Sequence, residues 1–229
     1  MRAVSSKKTK DMSQFHRNLV HDLLAQTKPA PEIQKAGVQW GLWLLASLGT
    51  MGLILTMLKL QPGVGSVLNQ MPSMTFLGLA FLGSALAAWE AISSSVPGRQ
   101  TPRGYRIFLS LILIFLFLMP FLFFASGGHV FNPWTAFRDG WGCFSAVSLI
   151  GFFPWIFLGW IVSRNAAFHP GWTGAWTGAS AFLLSSMTIQ LHCPNWQAGH
   201  MLMAHLLPVA IFTLATSWLG AHWFSRWRK

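Results

Sequence analysis

From Gly37 onward the chain is a series of long apolar runs separated by short polar interruptions. Six such blocks fall at about 37–60, 72–94, 105–125, 141–162, 173–191 and 199–222, each close to the roughly 20 residues a helix needs to cross a bilayer. A helix on the surface of a soluble core would pair an apolar stripe with a polar face at a 3.6-residue period, and these blocks lack the polar face. The pattern predicts an all-α, polytopic membrane protein. Residues 37–229 are expected to form a bundle of six transmembrane helices in contact with lipid, preceded by a separate tail over residues 1–36. Pro120, Pro154 and Pro208 lie inside blocks and predict kinks, whose freed carbonyls neighbouring helices can satisfy. Gly174 and Gly178 form a small-xxx-small pair suited to close helix contact in lipid.

The tail has a pattern of its own. Residues 1–10 are basic and small, and read as a flexible lead. Between residues 11 and 26 the spacing places Phe15, Leu19 and Leu23, with Val20 and Leu24 offset, on one helical face, and puts Gln14, Arg17, Asn18 and Asp22 largely elsewhere. Asp11 or Ser13 can cap this short helix, and Pro29 and Pro31 end it. Such a face either lies on the membrane surface or docks into the groove of a soluble partner, and periodicity does not separate the two. The first apolar block begins about three dozen residues in, too late for a cleaved secretory leader, so the first helix is expected to act as an uncleaved insertion signal.

Composition adds orientation. The formal net charge of +11 would suggest nucleic acid in a soluble protein. Here the basic residues gather at the ends of the apolar blocks, so no direct nucleic-acid contact is expected. With six crossings, fourteen of the 16 Lys and Arg residues fall on one side, leaving Lys59 and Arg138 on the other. The positive-inside bias therefore predicts that both termini are cytoplasmic.

No constellation for catalysis appears: there is no Ser-His-Asp arrangement, no HExxH and no phosphate-cradling loop, so the chain is not expected to be an enzyme. Glu90 is the one acidic residue within an apolar block, placed near its cytoplasmic end where Arg99 or Arg103 can pair with it, and it reads as structural. The outward side is chemically richer. Cys143, expected to open the fourth helix, and Cys193, between the fifth and sixth, are the only thiols, and both are predicted to face the periplasm. His192 and His200 lie beside them, with His129 and His205 near in depth. Thiolate and imidazole are the ligands of zinc, copper and other soft metals, so Cys143, Cys193, His192 and His200 are candidate metal ligands, although no cofactor is implied. His200 and His205 are five residues apart, a poor match to one α-helical face, and His205 reads as a packed core group. Reversible thiol chemistry at Cys143 and Cys193 requires that the two approach within disulfide range.

Four features together resemble the NrsF-type membrane anti-sigma factors. These are the tail segment from Leu19 through Asp22 and Leu24 to Pro29 and Pro31, the Ser94-Ser95-Val96-Pro97-Gly98 corner, the Trp141-Gly142-Cys143 start, and Leu191-His192-Cys193-Pro194 following Gly171 to Gly178. The likeness spans about residues 15–229. It implies a six-helix inner-membrane protein that holds an extracytoplasmic-function sigma factor inactive through its cytoplasmic tail. That assigns partner binding to Phe15, Leu19, Val20, Leu23 and Leu24. The resemblance also implies that Cys143 and Cys193 sense oxidative or heavy-metal stress in the envelope. Two other readings stand beside it: a small metal-handling or transport protein using outward His and Cys ligands, and a structural membrane subunit whose tail rests on lipid.

Overall fold

Away from water, a run of apolar residues can satisfy its own backbone amides only by coiling into a helix. Six long helices do so here, with no strand among the described residues. They are α1 (Ala36–Leu58), α2 (Met71–Ser95), α3 (Arg103–Phe124), α4 (Pro133–Ser163), α5 (Pro170–His192) and α6 (Ala198–Trp223). The computed structural model describes residues 35–61, 63–65, 69, 71–96, 98–99, 101–124, 132–165, 167 and 169–223. The tail face of Phe15, Leu19, Val20, Leu23 and Leu24, and also His129, lie outside the described residues.

All of these helices except α5 are long and apolar enough to cross a membrane. Their outward faces are covered by large apolar side chains, among them Leu45, Leu53, Leu111, Leu122, Phe153 and Leu214. In α5 Ser, Thr and Gly take up much of the length, which lowers its hydropathy below that of the others. It has no need of an apolar surface, because 17 of its 23 residues are buried and α2, α4 and α6 surround it. The polar groups of α5 act as interhelical links instead. Ser180 Oγ donates to the Ser84 carbonyl and Ser84 Oγ donates back to the Ser180 carbonyl, both at 2.8 Å, and Ser185 Oγ donates to the Val147 carbonyl at 2.8 Å. Trp43 Nε1 ties α1 to α4 through the Pro154 carbonyl at 3.1 Å.

The small-xxx-small pair marks the tightest crossing. A Cβ placed on Gly174 or Gly178 would run into Thr216, and one on Gly220 would sit 2.9 Å from the Gly174 Cα. Ser217 Oγ donates to the Gly171 carbonyl at the same crossing, so the start of α5 lies against the end of α6.

One boundary and one ion pair differ from expectation. The fourth helix begins at Pro133 rather than near residue 141, because Asn132 Oδ1 accepts from the amides of Trp134 and Thr135 and the proline occupies the first turn, where its missing N–H does no harm. Arg138 and Asp139 hide this start from a hydropathy reading, and Cys143 consequently lies about three turns inside the helix instead of opening it. Glu90, fully buried, is paired with Arg106 rather than with Arg99 or Arg103: Arg106 Nε donates to Oε1 at 2.8 Å, and the Thr101 hydroxyl donates to Oε2. Removing one partner of a buried pair leaves an uncompensated charge, so Arg106→Ala should destabilise the protein by about 3 kcal/mol or more. Thermal unfolding in detergent checks this, and an unchanged melting temperature would refute it.

The bundle has two chemically distinct ends. Glu90, Arg106, Thr173 and Asn165 share one end with the start of α1, through Ser94 Oγ to Thr173 Oγ1 at 3.1 Å and Asn165 Nδ2 to Gln39 Oε1 at 3.2 Å. The cysteines lie at the other, roughly 30 Å from Thr173 along α5, taking 1.5 Å per residue.

Candidate functional site

At the thiol end, three elements converge. α4 presents Gly140 and, one turn on, Cys143. A Cβ on Gly140 would stand 2.7 Å from the Ala204 Cβ and 3.3 Å from His200 Nδ1, so the glycine is what lets α4 lie flat against the start of α6. α5 stops at Cys193, whose amide still donates to the Ile189 carbonyl at 2.8 Å. Pro194 cannot continue the helix and biases Cys193 toward extended backbone, which it adopts at φ −80°, ψ 121°. Asn195 Oδ1 then accepts from the Gln197 amide at 2.9 Å and turns the chain into α6.

α6 opens irregularly. Residues Met201–Leu206 form a π-helical turn, in which the Leu207 amide reaches back five residues to the Leu202 carbonyl. Pro208 supplies the physical reason: it has no amide to give and its ring crowds the carbonyl four residues earlier, so the preceding turn widens. The expected proline distortion thus takes the form of a wide turn. It also overturns the reading of His200 and His205 as lying on different faces. In a π-turn, closed by hydrogen bonds from i to i+5, residues five apart come close to one face, and the two imidazole centroids lie 5.4 Å apart.

The result is a buried cluster of two thiols and two imidazoles. Cys143 Sγ and Cys193 Sγ are 3.5 Å apart and both free, with the Cys143 thiol donating to Cys193. His200 Nε2 is 3.2 Å from Cys193 Sγ. One ligand atom from each of Cys143, Cys193, His200 and His205 lies within 4.8 Å of the other three. Cys193, in the connection between α5 and α6, is held below its ordinary thiol value: the Cys143 hydrogen bond lowers it most, His200 adds to this, and burial opposes them. Such a cluster can bind a soft cation or undergo thiol oxidation.

His192 does not join it. Its Nδ1 is 2.7 Å from the Lys59 carbonyl, at the only non-glycine with positive φ (65°) among the described residues. His205 takes the place His192 was expected to fill. The signal for it is Pro208, three residues beyond, which widens the preceding turn where a regular wheel misplaces the ring.

An all-helical bundle with five membrane-length helices, holding a buried thiol-imidazole cluster at one end, is the architecture of a membrane protein. The chain belongs to the NrsF family, whose model, negative regulator of sigma F, matches residues 23–227. No curated protein and no solved structure matches it. The family is one of anti-sigma regulators, so a sigma factor is its partner class.

Proposed function

We propose that this chain is a bacterial inner-membrane anti-sigma factor that sequesters an extracytoplasmic-function sigma factor and releases it on envelope stress. The family match over residues 23–227 carries this reading. In it, six helices cross the membrane with α5 shielded by its neighbours, and both termini are cytoplasmic, as the bias in basic residues supports. The apolar face of Phe15, Leu19, Val20, Leu23 and Leu24 buries itself in the sigma factor as a helix in a groove. Cys143 and Cys193 face the periplasm, a compartment kept oxidising, and act as the sensor.

The chemistry of the signal is that of a close thiol pair. A hydroperoxide takes two electrons and two protons from the pair, an S–S bond forms, the O–O bond breaks, and water and an alcohol leave. A soft metal ion binding both sulfurs is the other stimulus. Either event changes how α4 is held against the α5–α6 connection, while the tail leaves from the start of α1 at the opposite end of the bundle. The stimulus shifts the protein only to the extent that it favours one arrangement over the other.

Capture of a cognate extracytoplasmic-function sigma factor tests the reading, with the full chain in detergent. Wild type should retain it and the Leu19→Asp, Leu23→Asp double variant should lose it. In cells, Cys143→Ser or Cys193→Ser should abolish induction of the regulon by oxidant or metal. Capture that survives the double variant would remove the tail from the contact, and no capture by wild type would overturn the proposal.

A further inference from the structure

We infer that Cys143, Cys193, His200 and His205 form a tetrahedral site for one resident thiophilic d10 divalent cation, zinc being the natural probe. This deepens the sensor reading by naming what the thiols hold at rest, and it draws in two histidines that reading does not use.

Three observations carry it. The first is size. A zinc ion with Zn–S near 2.3 Å and Zn–N near 2.0–2.1 Å spaces tetrahedral ligand atoms about 3.3–3.8 Å apart. The sulfurs stand at 3.5 Å, Cys193 Sγ to His200 Nε2 at 3.2 Å, and all four atoms within 4.8 Å, so closure onto an ion needs shifts of about 1 Å or less.

The second is the state of His205. It is completely buried, its Nδ1 lies 3.4 Å from the Ser186 carbonyl, and its Nε2 has no hydrogen-bond partner among the described residues. A ring that donates from one nitrogen to a backbone carbonyl and keeps the other as a bare lone pair is set as metal-bound histidines are. Without an ion, that buried nitrogen would stand unpaired at a cost of about 1–3 kcal/mol.

The third is charge and position. Two thiolates cancel a divalent charge, so the filled site is neutral and can be buried without a further counter-ion. Its ligands come from α4, from the residue that ends α5 and from both ends of one wide turn of α6. The ion therefore holds together elements that are far apart in sequence. Binding expels the two thiol protons, and oxidation of the sulfurs to a disulfide, or a more thiophilic ion, displaces it.

The test is metal analysis of the full-length protein purified in detergent, with wild type, His200→Ala, His205→Ala, Cys143→Ser, Cys193→Ser and His192→Ala compared. Wild type and His192→Ala should carry one zinc per chain. The four ligand variants should bind it at least about 100-fold more weakly, beyond the roughly 10–100-fold that follows loss of a second-shell partner. Cobalt in place of zinc should give the intense visible bands of a tetrahedral ion and a sulfur-to-cobalt charge-transfer band. Because an alanine in the core can simply unfold the chain, His205→Cys is the complementary variant: it should keep the metal and strengthen the charge-transfer band. Zinc retained equally by the four ligand variants, an octahedral cobalt spectrum, or no zinc after reconstitution of folded wild type would overturn the inference. Sigma capture by the same preparations separates the two proposals. Capture without metal sinks only the site, whereas metal without capture sinks only the anti-sigma reading.

Discussion

Gly178→Val should cost the protein about 3 kcal/mol and lower its melting temperature in detergent by roughly 6–12 °C, taking 2–4 °C per kcal/mol for a chain of this size. Overfilling a packed site usually costs about 1–3 kcal/mol, and this site lies at the upper end because its neighbours cannot yield. The added carbon would run into the Thr216 side chain and stand 3.1 Å from the Phe212 carbonyl. Thr216 is β-branched, and its hydroxyl already donates to the Thr213 carbonyl at 3.1 Å, so relief requires moving α6 away from α5. That movement would also loosen Gly174 against Thr216 and Gly220. Gly142→Ala is the matched control, since nothing lies within 4 Å of the atom it adds. Replacing a helical glycine there should leave the melt unchanged or raise it, by up to about 1 kcal/mol. If both variants melt together with wild type, the glycine crossing does not hold the bundle.

The second large effect concerns pH. In the metal-stripped full-length protein, Cys193 should react with methyl methanethiosulfonate at a nearly level rate from pH 8 to pH 6, where an ordinary thiol slows about tenfold per unit. The level rate follows from a thiolate stabilised first by the Cys143 thiol and then by His200. Cys143→Ala should therefore restore most of the ordinary pH slope, and His200→Ala a smaller part. Mass spectrometry of the labelled peptide assigns the reaction to its cysteine. Because this group titrates lower in the folded chain than the ordinary value near 8.5, its stabilising contribution is complete above that pH. It is lost as pH falls toward the folded value. The difference in melting temperature between wild type and Cys193→Ala should accordingly shrink on acidification. A Cys193 labelling rate that drops tenfold per unit in wild type would refute the assignment.

Much of the architecture could be read from residues alone, because blocks with no polar face permit few structures. Helix α5 was located by its length and flanks even though Thr173, Ser180, Ser185 and Thr188 make it too polar for a lipid-facing span; such a helix fits only at the centre of the bundle. The start of α4 was misplaced because Arg138 and Asp139 break the hydropathy while Asn132 and Pro133 set the real beginning. Of the site, the two cysteines were legible through scarcity alone, and the structure places them side by side. His192 and His205 were exchanged in the reading for a geometric reason. A 3.6-residue wheel places His205 away from His200, and only the widened turn before Pro208 brings it back. Glu90 was correctly read as lying near an arginine-rich corner, but which arginine reaches it depends on the angle at which α3 leaves Thr101.

The widened turn has a consequence for chain length. A π-turn holds one residue more than an α-helical stretch would, so everything after Leu206 is rotated by about 100° from the face it would otherwise present. That rotation is what directs Thr216 and Gly220 at Gly174 and Gly178. Between His200 and Pro208, then, the number of residues matters as much as their identity. Losing a single residue there would swing one histidine away from the sulfurs at one end, or the glycine seam away from α5 at the other.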